Sequence, residues 1–139
     1  MSGMPRAHSF LGIDHRVVAA EVRVGDEAAH EIMWEVSFGE KDADEGFRYV
    51  MGWLHGAGDG VQVTVSVGAI VIDTGIPYDD DKFSRIFATS DACEALYQST
   101  RAAAAVVLAL TRETLTLPVY MPPASIAPFP NEEVENANE

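Results

Sequence analysis

Cysteine, basic side chains and long apolar runs are all scarce in this chain of 139 residues. The lone cysteine, Cys93, excludes an internal disulfide framework and any multi-cysteine metal site, and points to a reducing, cytoplasmic setting. Nine Lys plus Arg stand against 22 Asp plus Glu, a formal net charge of −13. That balance argues against a nucleic-acid backbone or an anionic membrane as partner, since both demand clustered positive charge. The longest apolar run covers only residues 102–110. A spanning helix needs about 20 such residues, and the N-terminal stretch has no signal-peptide core, so no membrane insertion is expected.

Motifs that carry chemistry are equally scarce. His8, His15, His30 and His55 lie apart and never at metal-ligand spacing. Asp79, Asp80 and Asp81 offer carboxylates, but without the alternating spacing, glycine and distal glutamate of a calcium loop. They read as a solvated approach to a helix. The glycine-rich run 56–60 lies between two strand-like segments and lacks the Lys-Ser/Thr of a phosphate loop, so it reads as a hairpin turn. Cys93 falls near a helix start, where the dipole could lower its pKa, yet no histidine is positioned beside it. A small buried apolar residue is the simpler reading. No catalytic residue, metal site or cofactor is expected.

What the chain does have is patterned apolar sequence. At 47% hydrophobic and 22% charged residues it is a folding composition, sized for one domain. Four stretches alternate with period two, the mark of half-buried strands: 16–24, 31–38, 47–54 and 61–72. In the last, Val61, Val63, Val65, Val67, Ala69 and Val71 oppose Gln62, Thr64 and Ser66. Past Gly68 both faces become apolar, with Ile70 and Ile72, which suggests a second covered surface or a bend. The short connections favour an antiparallel meander. Asp91 and Glu94 have the spacing of a capping box, and helix formers run from there to about Arg112. Ala92, Leu96, Ala103, Val107 and Leu110 form its apolar stripe. The proline-containing segment 117–123 then reads as extended. The fold class expected is α+β: a four-stranded antiparallel sheet packed by one long C-terminal helix, then an extended segment. Residues 1–15 are expected to be flexible, 16–127 to form the domain, and 128–139 to be a disordered acidic tail.

Trp34, Phe38, Tyr49, Trp53, Tyr78, Phe83 and Phe87 are many large rings for one sheet under one helix. Either copies associate through these faces, or a groove stays open for an apolar partner.

The stretch 61–129 resembles the SecB-type and SecB-like export chaperones. The resemblance lies in the strand 65–72 with its bend at Gly68, in Tyr97 and Arg101 on the long helix, and in the closing segment 117–126. It implies a non-catalytic, ATP-independent holdase for unfolded polypeptide, assembled as a homotetramer (a dimer of dimers). It also implies contact with the protein-translocation motor, or service to a dedicated client such as an antitoxin. Client contact is then expected at Trp34, Phe38, Tyr49, Trp53, Ile70, Tyr78 and Phe83. The competing class is a structural or assembly protein, for example a viral accessory component, whose aromatic faces are permanent interfaces. A small-molecule enzyme would need a polar cluster in its pocket, and none is legible.

Overall fold

The alternating segments become strands because each presents a β-branched or aromatic stripe to one side. The structure, a computed structural model, describes residues 10–25, 30–39, 47–73 and 79–130. Its elements are β1 (Phe10–Val24), β2 (Glu31–Phe38), β3 (Phe47–Gly58), β4 (Val61–Asp73), α1 (Asp80–Phe87), α2 (Asp91–Leu110) and β5 (Ser125–Pro128). They form one five-stranded sheet in the order β1-β4-β3-β2-β5. All neighbours are antiparallel except β5, which lies parallel to β2.

The α+β class and the antiparallel core agree with the sequence; the strand count, strand order and helix count do not. β2, β3 and β4 are a meander, but β1 pairs with β4 at the far side of the sheet rather than with β2. The fifteen-residue β1 matches the thirteen-residue β4 in length, whereas β2 has only eight residues. β1 also begins at Phe10, whose ring packs edge-on against Phe83 and Phe87, so residues 10–15 are strand rather than a flexible lead. Residues 1–9 lie outside the described residues, as do 131–139 of the expected tail.

The β3–β4 turn is tighter than the glycine run suggested. Strand pairing continues to Gly58 against Val61, leaving Asp59 and Gly60 as a two-residue turn, both at positive φ (52° and 79°). Asp-Gly suits the type I′ geometry that follows the natural twist of a hairpin.

Among the described residues two helices, not one, cover the sheet. Asp79 caps α1 by accepting a 2.8 Å hydrogen bond from the Lys82 amide, so the acidic triplet opens a helix. Phe83 and Phe87, four apart, turn its apolar face inward. The cap of α2 is Ser90 rather than Asp91: its Oγ accepts from the Cys93 amide at 3.1 Å. Glu94 instead accepts from Gln98 at 2.8 Å. The buried stripe is Ala92, Cys93, Leu96, Tyr97, Thr100, Ala104 and Leu108. Leu110 faces outward, 78% exposed, contrary to the stripe expected from sequence. Thr100 serves in a buried position because its hydroxyl donates to the Leu96 carbonyl at 2.7 Å.

The core lies between the helices and one face of the sheet, filled by Val36, Val50, Leu54 and the β4 valines with Leu96, Phe83 and Phe87. Gly52 gives Trp34 its place there: a Cβ on Gly52 would overlap the indole and come within 3.1 Å of Leu96 Cγ.

Candidate functional site

Among the described residues no helix lies on the opposite face of the sheet, and register decides what that face presents. Paired residues on neighbouring strands share a face. Across β1, β4 and β3 this aligns Leu11 with Ile72 and Phe47, then Ile13 with Ile70 and Tyr49. Next come Arg16, Gly68 and Met51, joined by Ser37 of β2. Further along the strands the rows turn polar: Ala19, Ser66, Trp53 and Glu35, then Glu21, Thr64, His55 and Met33. The open face therefore has an apolar half and a polar half.

A groove of about 510 Å³ lies in the apolar half, with Val18, Tyr49, Met51, Gly68, Ile70 and Phe129 among its walls. Two irregularities in β1, between Ile13 and Arg16 and between Val17 and Ala19, shape one wall. Each adds residues to β1 that β4 does not match, which bends the strand. Asp14, at φ 59°, and the second irregularity bring Val18 onto the groove side, 3.4 Å from where a Cβ of Gly68 would stand. Asp14 and Arg16 form a 2.9 Å ion pair at the rim. The opposite wall comes from the C-terminal segment: the Phe129 amide donates to the Phe38 carbonyl at 2.8 Å, and its ring enters the groove.

The polar half holds a smaller depression of about 260 Å³ around Trp53, His55, Thr64, Gln62, Glu21 and Arg23. His55 Nδ1 lies 2.9 Å from Thr64 Oγ1 and its Nε2 lies 3.4 Å from Glu31. Its ring stacks on Trp53 with an interplanar angle of 8°. Among the described residues no three His, Cys, Asp or Glu side chains converge as a metal site would require.

Of the residues expected to contact a client, the structure brings two into the groove, Tyr49 (58% exposed) and Ile70. Trp53 lies in the polar depression instead. Trp34, Phe38 and Phe83 are core residues, at most 2% exposed, and this is a correction. Their strand parity, or in Phe83 its place on α1, sends them under the helices. Trp34 meets Tyr97 edge-on at 5.3 Å, and Tyr97 donates to the Pro118 carbonyl at 2.6 Å. Phe38 and Phe83 pack at 4.9 Å around the buried Arg48 guanidinium, which lies 4.6 Å over the Phe83 ring. That guanidinium also donates to Asp80 at 3.0 Å and to the Gly39 carbonyl at 3.2 Å. Tyr78 lies outside the described residues. Cys93 is fully buried, and desolvation pushes its thiol up to about 12, the opposite of activation by a helix dipole.

Sequence reading missed Val18, Met51 and Phe129 as groove residues. Met51 was legible, since the alternation of 47–54 puts Phe47, Tyr49, Met51 and Trp53 on one side. Val18 depends on the β1 irregularities, and Phe129 falls in what reads as tail.

No family model matches the chain, and no curated protein matches it in sequence. Among solved structures it is similar to a SecB-like chaperone from Mycobacterium tuberculosis, determined in complex with a ChAD peptide from the HigA1 antitoxin. The TM-score is 0.62 at 15% identity, covering 81% of this chain and 88% of that one. No helix among the described residues is long and apolar enough to cross a membrane. In fold, the chain is SecB-like.

Proposed function

We propose that this protein is an ATP-independent chaperone, a holdase that keeps extended or unfolded polypeptide in the open-face groove. The observation that carries the reading is an apolar groove lined by Tyr49, Met51, Ile70 and Val18, with the Phe129 ring of the C-terminal segment along one side, on a sheet of SecB-like fold. Burying client side chains there gains about 25 cal/mol per Å² of apolar surface, without need of a defined sequence. The reading involves no catalytic step and no cofactor. A dedicated client such as an antitoxin is favoured over general export, because the structural neighbour is solved with an antitoxin peptide. The net charge of −13 suits a protein that must stay soluble while exposing such a surface.

The test is aggregation of a chemically unfolded reporter with and without the chaperone. Stoichiometric amounts are expected to delay it, and Tyr49→Asp to abolish the delay while leaving the fold intact. No delay at stoichiometry would overturn the reading.

A second reading, an assembly protein with permanent apolar interfaces, draws on the outer surface of α2. Val106 and Leu110 are exposed there beside Ala102, Ala105 and Ala109, with no charged side chain between Arg101 and Arg112. The holdase reading assigns this surface to a homotetramer, four chains of 15.0 kDa each, with the groove left free. Native mass combined with peptide binding separates the two: an assembly whose groove admits no peptide favours the second.

A further inference from the structure

One occupant of the groove is already visible, and it is the chain itself. β5 has four residues and lies parallel on the outer edge of β2, opposite Glu35, Val36, Ser37 and Phe38. Ile126, in register with Val36, turns half-buried toward the core, while Ser125, Ala127 and Pro128 are exposed. The amide of Phe129 adds one more bond to β2, and its ring enters the groove beside Tyr49 and Ile70. The ring lies over Gly39, where a Cβ would stand at ordinary contact distance, 3.5 Å from two of the ring carbons. The segment is thus an extended peptide laid on a sheet edge, with one apolar side chain down and an aromatic one, three residues later, in the groove. That is how strand addition recognises a foreign peptide.

Several features make this attachment weak while its base is firm. The pairing is short and parallel, the less stable geometry per residue. Pro128 supplies no amide, and Pro122, Pro123 and Pro130 flank the strand so that it cannot lengthen by regular pairing. Upstream, Leu117 is buried, Tyr97 holds the Pro118 carbonyl, and Gln98 holds that of Val119 at 2.9 Å. Residues 125–129 can therefore lift while residues 117–119 stay fixed.

We infer that residues 125–129 are a displaceable self-ligand, whose place on β2 and in the groove is taken by client. This rests on the chaperone reading and specifies its client class: an extended segment with an apolar residue followed, three positions on, by an aromatic one. The tethered strap competes at high effective concentration, so only segments that fill both positions displace it. It also covers a sheet edge and a groove that would otherwise invite self-association.

The experiment locks the strap in the full chain. Ser37→Cys with Ala127→Cys joins register partners on the open face, away from the buried Cys93. Oxidised, this variant is expected to bind an unfolded reporter about tenfold more weakly than when reduced, the closed state removing the competent population. Equal binding in both states overturns the inference. Phe129→Ala, which removes a half-exposed ring and no core contact, is expected to tighten binding of a labelled peptide carrying the apolar-x-x-aromatic pattern. It should not tighten binding of a peptide with the aromatic replaced by alanine; equal gains for both overturn the client class. Hydrogen exchange on the client-free protein separates this inference from the chaperone reading. The Phe129 amide is expected to exchange about 100-fold faster than the Leu54 or Val65 amides. Equal protection overturns the strap even if clients bind, whereas fast exchange without any client binding rejects the holdase reading and, with it, displacement of the strap by client.

Discussion

One sheet here has two faces built under opposite constraints. On the helix side every position is committed: Trp34 fits only because Gly52 has no side chain, and Thr100 is tolerated only because it bonds to its own helix. On the open side the same strands present Tyr49, Met51, Ile70 and Gly68 with little against them. The lesson lies in the aromatic residues. Size and hydrophobicity do not tell a core ring from a binding ring; strand parity does. Trp34 and Trp53 come from neighbouring strands, and one is buried while the other faces out.

The contrast can be broken at its strongest point by Trp34→Ala, expected to cost about 4 kcal/mol in denaturant unfolding. A loss below about 1 kcal/mol would mean that the helix side is not the close-packed one. Gly52→Ala and Gly68→Ala sharpen the same comparison with identical chemistry on opposite faces. The first forces a methyl into Trp34 and is expected to destabilise by about 2 kcal/mol. The second meets Val18 and the Val50 carbonyl at ordinary contact distance, and is expected to be neutral or to stabilise by about 0.5 kcal/mol while lowering peptide affinity by filling the groove floor.

Cys93 reports on the helix side through pH. An unfolded chain loses its thiol proton near pH 9, whereas the folded thiol holds it to about 12. Stability is therefore unaffected below pH 9 and falls between pH 9 and 12, by at most roughly 1.4 kcal/mol per pH unit. Cys93→Ala should flatten that slope, and alkylation at pH 8 should require unfolding. The smallest stability effect belongs to Tyr49→Ala, within about 0.5 kcal/mol of the parent, with peptide affinity nonetheless down about tenfold.

The helix side was the more legible of the two. Six alternating apolar residues of β4, from Val61 to Val71, were assigned to one face and are all buried there. The loss of alternation past Gly68, which suggests a second covered surface or a bend, falls at the groove end of the sheet, where Ile70 is apolar on a face that is otherwise Gln62, Thr64 and Ser66. The partnering of β1 with β4 was not legible, because alternation fixes a strand's face and not its neighbour. The bulged segment of β1 hid Val18 in a similar way: one extra residue reverses parity, and nothing in the local composition announces it. β5 has too few residues for a period to be read, and its place depends on the edge of β2 rather than on its own sequence.

The two-residue turn at Asp59 and Gly60 has a consequence for how this protein could change over time. It sets the phase between β3 and β4, and through β4 the phase of β1. A slip of the pairing by one residue would exchange the two surfaces of β3 against β4, offering Trp53 and His55 to the helices and Leu54 to solvent. An inserted residue is accommodated only where it lengthens the loop and leaves Gly58 opposite Val61. Drift in this hairpin should therefore be confined to its tip, with the pairing on either side held constant.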